Sequence, residues 1–328
     1  MDKITQKIRE TAKLALEKGE VEKIIGWAKG DTWDDSYPVF VTDVDKADSL
    51  IWDNFCVNNV SKYLIKELKQ SNKVGVFLKG CDSLGFNQLI VDNRIDRTKV
   101  VVYGISCPGM IDPEKVKKEG LNKGLKSVKR SGDQIIFVTS DGEKKVASKE
   151  FEFDKCLKCR HPNPVVYDQL MTDTLEEREV DLEARFKDVE DLEALSNDER
   201  SDYWKNQFSK CIRCNACRNI CPACSCEKCI FDNTKAEVSG KAKADTEEQF
   251  YHIIRAYHVA GRCVECGECS RVCPAGIPLH KLNSKIIKDL NGLYGEHEAG
   301  LDSSVEAPIG MFKLDDCDSF TEHGGGKK

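Results

Sequence analysis

The sequence predicts an α+β protein, with an α/β core domain followed by a helical, cysteine-rich domain. Three observations carry this reading. Between residues 74 and 105 an apolar run ("VGVFL", 74–78), a helical stretch and a second apolar run ("VVVYGI", 100–105) follow in order. That is the pattern of a βαβ unit with both strands buried. The 328 residues include 17 cysteines, far more than packing requires. Two stretches of the last third repeat one cysteine spacing, with amphipathic helical segments, "EEQFYHIIRAYHVAGRC" and "PLHKLNSKIIKDLNGLYG", on either side of the second.

Taken in order, residues 1–20 read as an amphipathic helix with Ile4, Ile8, Leu14 and Leu16 near one face. "VFVTD" at 39–43 is strand-like, and residues 46–70 have helical spacing at Leu50, Phe55, Val60, Leu64 and Leu68. In the βαβ unit, Gly80 marks the first turn, and Cys81 and Cys107 each fall just past a strand. Ligands of open α/β sheets collect at that end of the strands. "DQIIFVTSDGEKKVASKE" is a hairpin turning at Asp141-Gly142, a dipeptide suited to the tight primed turns. The prolines of "KCLKCRHPNP" mark a loop.

The core domain is therefore assigned to residues 1–170 and an acidic, partly helical connector to 171–210. In the connector a helix opens with a capping box, Ser196 and Glu199, and sets Trp204 and Phe208 on one face. The cysteine-rich domain spans 211–295, and a tail, expected to be disordered, spans 296–328.

Composition narrows the class. Apolar residues at 40% and charged residues at 32% suit a soluble globular chain. No apolar run approaches the roughly 18 residues of a membrane span, and the first residues lack the apolar core of a secretory signal. A net charge of −6 argues against a nucleic-acid binder. So many cysteines in a chain of this size point to metal binding rather than to disulfides. Thiolates that hold iron need a reducing compartment, which places the protein in the cytoplasm of an anaerobe.

The repeated spacing is C-x2-C-x2-C-x3-C-P. Cys211, Cys214, Cys217 and Cys221-Pro222 form one copy; Cys263, Cys266, Cys269 and Cys273-Pro274 form the other. This is the bacterial two-cluster ferredoxin pattern, in which the fourth cysteine of each run ligates the other cluster. Three thiolates on a tight loop cap one face of a cube, and the chain then leaves too steeply to supply the fourth. One [4Fe–4S] cluster is thus expected on Cys211, Cys214, Cys217 and Cys273, and a second on Cys263, Cys266, Cys269 and Cys221. Zinc sites pair two C-x2-C knuckles rather than tripling them.

Cys81, Cys107, Cys156 and Cys159 form a further set. Spacing alone leaves two readings: one more cluster, or two packed thiols beside a C-x2-C that binds zinc or is redox-active. Cys224, Cys226 and Cys229 are one thiolate short of a site. They are read as packed or auxiliary thiols behind the first cluster, with Cys56 as a candidate partner. Cys317 has no assignment. His161, His252 and His258 require no special role. HExxH, Ser-His-Asp and GKS/T patterns are absent, and "KGCDSLG" is not GxGxxG.

These motifs, in this order, resemble the coenzyme F420 hydrogenase/dehydrogenase beta-subunit family over about residues 35–295. "LKGCDS" is similar to that family's K-P-C-D segment and "YGISCPGMI" to its G-x-x-C-x-G segment. "CLKCRHPNPVVYD" is similar to its C-x-x-C loop ending in an aspartate, here Asp168. "CIRCNACRNICPACSCEKC" and "CVECGECSRVCPAGIPL" resemble its C-terminal cluster domain, extension included. The resemblance implies a [4Fe–4S] cluster in the core domain, on Cys81, Cys107, Cys156 and Cys159, with FAD beside it that exchanges a hydride with F420.

The chain also departs from that pattern. It has no Gly-Gly before residue 324 and no glycine between Gly142 and Gly240, where the family has glycine-rich segments. Glycine lets backbone approach a cofactor closely, so these departures argue against a flavin pocket. The expected function is an electron-transfer subunit with several [4Fe–4S] clusters, without substrate chemistry in its side chains. It would join catalytic and flavin-containing subunits of a formate dehydrogenase-, hydrogenase- or heterodisulfide-reductase-type complex. The alternatives are an FAD-containing subunit acting on F420 or NAD(P)H, and a zinc-stapled scaffold.

Overall fold

A computed structural model describes residues 3–177, 185–233, 235, 238 and 244–311. Helix α1 (Lys3–Glu17) buries Thr5, Ile8, Ala12 and Ala15, one face of a 3.6-residue period. Leu14 lies off that face and is half exposed, which corrects its expected placement. Strand β1 (Lys23–Lys29) follows; its sequence, KIIGWAK, neither alternates nor runs β-branched, so sequence reading missed it. Strand β2 (Ser36–Val41) pairs with it antiparallel.

The helix expected over residues 46–70 is largely absent. Leu50–Ile51 (β3) pairs antiparallel with β1, and helical turns return only at Ser61–Tyr63 and Leu64–Glu67. Asp53 Oδ1 accepts the Phe55 N–H at 2.8 Å, and Asn59 Oδ1 accepts the Ser61 N–H at 3.1 Å. Such local bonds replace the helical ladder.

The βαβ unit forms as expected. β4 (Val74–Leu78), helix α2 (Gly80–Val91) and β5 (Val100–Gly104) follow in order, with β4 and β5 parallel. The expected hairpin is β7 (Gln134–Thr139) and β8 (Gly142–Ala147), and it has a third partner, β6 (Ser127–Ser131), antiparallel to β7. These three strands cover a small core of their own around Ile135, Phe137 and Phe151. Strand β9 (Gln169–Leu170) returns to the main sheet beside β5, which gives the order β2-β1-β4-β5-β9.

Helices α3 (Lys187–Glu193) and α4 (Asn197–Phe208) follow. The expected capping box opens α4: Ser196 Oγ accepts the Glu199 N–H at 3.3 Å, and the Glu199 carboxylate accepts the Ser196 N–H at 2.9 Å. The cysteine-rich region contains α5 (Ala216–Ile220), α6 (Asp245–His258) and α7 (Leu279–Tyr294). Trp204 stacks on Phe208, and Phe208 on His252, with ring centroids 5.2 and 4.8 Å apart.

Helix α2 is buried on nearly every side, because it lies between the sheet and the cysteine-rich region. A Cβ on Gly85 would stand 3.1 Å from Pro222, and one on Gly300 would stand 2.1 Å from the Leu84 carbonyl oxygen. The start of the expected tail thus packs back onto α2, with Ala299 buried. Residues 312–328, with Cys317, lie outside the described residues. No helix among the described residues is long and apolar enough to cross a membrane.

Gly80 heads α2 beside Cys81, and a Cβ there would stand 1.8 Å from the His161 carbonyl oxygen. Gly80→Ala is expected to lower stability by about 1–3 kcal/mol, as overpacking does. Gly292, inside α7, has nothing within 4 Å of a built Cβ, and Gly292→Ala should add about 0.5–1 kcal/mol. Anaerobic thermal melts of the two variants would show shifts of opposite sign; two shifts of the same sign would contradict this packing.

Candidate iron–sulfur centres

The two cysteine motifs fold into loops with the same backbone. In the first, Arg213 and Asn215 have positive φ (54° and 63°); in the second, Glu265 and Gly267 do (52° and 66°). These positions match one for one, on either side of the central cysteine of each triplet. The left-handed turns are uncommon for non-glycine residues and curl each loop around its thiols. The Arg213 N–H donates to Cys211 Sγ at 3.3 Å, and Asn283 Nδ2 points at Cys269 Sγ from 3.8 Å. Each loop ends in a short helix, α5 in the first and the single turn Glu268–Arg271 in the second.

Tertiary structure brings the expected sets together. Cys211, Cys214, Cys217 and Cys273 line one small cavity of ≈ 20 Å³. Cys263, Cys266 and Cys269 line a second, of ≈ 130 Å³, and Cys221 from the first motif joins them there. Cys273 thus lies with the first motif's triplet and Cys221 with the second's. The same cavity is lined by Cys81, Cys107, Cys156 and Cys159, so the loops after β4 and β5 converge with the C-x2-C loop. The Cys107 N–H donates to the Pro162 carbonyl at 2.7 Å, and the Met110 N–H to Cys156 Sγ at 3.5 Å.

Burial pushes the thiols up, to about 12 for Cys107 and about 11 for Cys211 and Cys269. Cys221 is shifted the other way: a hydrogen bond from the Cys224 thiol holds it below the usual thiol range, and Arg255 and Lys62 add to this. Four convergent thiols around the first void suit one [4Fe–4S] group, and eight around the second suit two. Binding would have to displace their protons, and the nearby cations favour that outcome.

The ion pairs around these voids escaped the sequence reading. Glu268 is fully buried between Cys266 and Cys269. It pairs with Lys155, the neighbour of Cys156, and with Arg271 at 2.7 Å, and it accepts the Asn59 N–H at 3.3 Å. Its carboxyl is held down at about 2: burial opposes this, but the Lys155 and Arg271 charges outweigh the burial. Lys79 and Asp82, buried beside Cys81, pair at 2.7 Å. Glu298 pairs with Arg160 at 2.8 Å and His161 at 2.6 Å, next to Cys159. The only sequence signal for these contacts was charge set between cysteines, which alone does not separate a buried group from a solvated one. Cys211, Glu248 and His252 also have their ligand atoms within 4.8 Å of one another, although the histidines were read as unremarkable.

Cys224, Cys226 and Cys229 are not packed thiols behind the first centre. They line a separate cavity of ≈ 570 Å³ with Lys62, Arg94, Arg218 and Arg262. Cys56 is not among them; it is buried in the core of the main sheet.

Residues 207–277 match the family model of the 4Fe-4S dicluster domain. The F420-dependent formate dehydrogenase subunit beta of Methanocaldococcus jannaschii is 22% identical over 347 aligned positions, covering 86% of this chain and 89% of that protein. Subunit beta of F420-dependent formate dehydrogenase 1 of Methanococcus maripaludis is 25% identical over 369 positions, covering 91% of each. The chain is a distant homologue of these beta subunits. It is an iron–sulfur electron-transfer subunit of the [4Fe–4S] type. A chain in the F420-reducing [NiFe] hydrogenase complex from Methanosarcina barkeri is also similar, with a TM-score of 0.38 and 18% identity, over 48% of this chain and 62% of that one.

Glu268→Gln would leave Lys155 and Arg271 buried without a counter-charge. Breaking a buried pair from one side costs roughly 3–5 kcal/mol. Denaturant titration of the anaerobic protein should show a loss of that order; a loss under about 1 kcal/mol would mean the triad does not tie the two regions together.

Proposed function

We propose that the chain relays single electrons between a catalytic subunit and a flavin-containing subunit of a cytoplasmic, anaerobic redox complex. Complexes of formate dehydrogenase, hydrogenase or heterodisulfide-reductase type are the candidate hosts. Residues 1–170 form the core domain, 171–210 the connector, 211–295 the ferredoxin-like domain and 296–328 the tail. The ligand sets are Cys211, Cys214, Cys217 and Cys273 for the first centre, and Cys263, Cys266, Cys269 and Cys221 for the second. Cys81, Cys107, Cys156 and Cys159 hold the third.

The observation that carries this reading is the shared cavity. Eight thiols from the second and third sets line one void between the domains, so the core-domain centre and a ferredoxin-type centre are neighbours. A bound [4Fe–4S] cluster supplies one-electron chemistry at a potential set by charge, hydrogen bonds to sulfur and solvent access. The chain's own residues do the rest. The thiols hold the groups, Asn283 and the loop N–H groups orient sulfur, and Leu84 and Val264, both buried, help exclude water. The second reading, a flavin-containing subunit acting on F420 or NAD(P)H, is favoured by the names of the curated relatives. It is opposed by the absence of glycine between Gly142 and Gly240.

Iron, acid-labile sulfide and released flavin should be measured on the anaerobically purified protein. Three clusters correspond to about twelve iron and about twelve sulfide per chain, with flavin far below one equivalent. Cys156→Ser should remove about four iron and leave the two ferredoxin-type signals. Near-stoichiometric flavin would favour the second reading, and unchanged iron in Cys156→Ser would remove the third centre from the proposal.

A further inference from the structure

Helix α6 carries a charge for which the motifs do not account. Arg255 lies on its buried face and is 3% exposed. Its Nη2 donates to the Cys217 carbonyl at 3.2 Å, its fork reaches the Cys269 thiol, and its Nε has no partner. No carboxylate among the described residues forms an ion pair with it. Two buried carboxylates of the same region pair with other cations, Glu248 with Arg213 at 3.2 Å and Glu268 with Lys155 and Arg271. A guanidinium does not shed its proton in a protein, and a buried charge without a partner is strongly unfavourable. Some other anion must face it.

Burial weighs against its charge, and the thiols of Cys269, Cys221, Cys224 and Cys217 favour it; Arg255 lines one cavity with Cys224. Cys217 belongs to the first ligand set, and Cys221 and Cys269 belong to the second. We propose that Arg255 is the shared counter-ion of the two ferredoxin-type centres, a fixed cation between Cys217 of one and Cys221 and Cys269 of the other that raises both reduction potentials. This rests on the ligand assignment given above. Reduction adds negative charge to a centre that already carries it, and a nearby buried cation favours the reduced form. One cation placed between two centres acts on both, so removing it shifts them together. Lys62 also lies near Cys221 and Cys224, and its Nζ donates to the Arg218 carbonyl at 2.8 Å. Of the ligand thiols it acts on Cys221, a member of the second set.

The test is a redox titration followed by electron paramagnetic resonance, with iron and sulfide counts, on the anaerobic wild-type protein, Arg255→Met and Arg255→Lys. Arg255→Met removes the charge and keeps most of the volume. At a fixed potential its reduced-to-oxidised ratio should fall at least about tenfold at both centres, about 59 mV per one-electron couple. Arg255→Lys should keep both midpoints near wild type. Full iron in Arg255→Met with unshifted midpoints would overturn the proposal, as would an equal shift in Arg255→Lys. Should Arg255→Met lose its iron, Arg255→Lys decides: wild-type midpoints support the counter-ion role, and loss of both centres refutes it. Wild-type protein without two such signals would overturn the ligand assignment, and this inference with it.

Discussion

Glu268 is the contact on which the rest of the arrangement depends. Its carboxylate is completely buried, flanked by Cys266 and Cys269, and shared between Lys155 and Arg271. Lys155 comes from the core domain beside Cys156, and the Asn59 N–H adds a third donor from another core loop. One anion thus fixes the C-x2-C loop, the second cysteine loop and the loop that carries Asn59 in a common frame. A buried charge is tolerated only when paired and hydrogen-bonded, so these loops cannot separate without leaving a cation unpaired. That constraint makes the two sets of thiols line one void.

Charge inside the protein runs opposite to charge outside it. The chain as a whole is acidic, with a net charge of −6, yet Lys62, Lys155, Arg255 and Arg271 gather around the cysteines. Two of them share the single carboxylate of Glu268, and neither Lys62 nor Arg255 forms an ion pair with a carboxylate among the described residues. The excess positive charge is consistent with anionic groups bound at the thiols, because burying so many cations otherwise has no compensation. The same logic applies to Lys79, which is held by Asp82 at 2.7 Å and lies over the Trp27 ring at 4.7 Å. Asp82 is raised to about 6, because burial outweighs the Lys79 charge.

The relation to the formate dehydrogenase beta subunits spans nearly the whole chain at low identity. The cavity of Cys224, Cys226 and Cys229 adds a thiol-lined, cation-rich surface that the doubled motif alone would not suggest.

The sequence by itself determined the features that are local or strictly spaced. The βαβ unit was legible because its two strands are continuous apolar runs. The Ser196–Glu199 capping box and the Asp141-Gly142 turn were legible because each is closed within four residues. The meeting of Cys273 with the first triplet and of Cys221 with the second was legible because the same strict cysteine spacing occurs twice. Only the tertiary structure decided the rest. Strand β1 was hidden because Gly26 and Ala28 break its pattern, although it pairs with β2, β3 and β4. The helix read into residues 46–70 gave way to side-chain-to-backbone bonds at Asp53 and Asn59, which periodicity does not record. Cys81, Cys107, Cys156 and Cys159 could be read as a site or as packing, and the convergence of three loops settled that they share a cavity. Glu268 and Arg255 drew no assignment from the sequence, because a charged residue's burial depends on partners up to a hundred or more positions away, which no local pattern encodes.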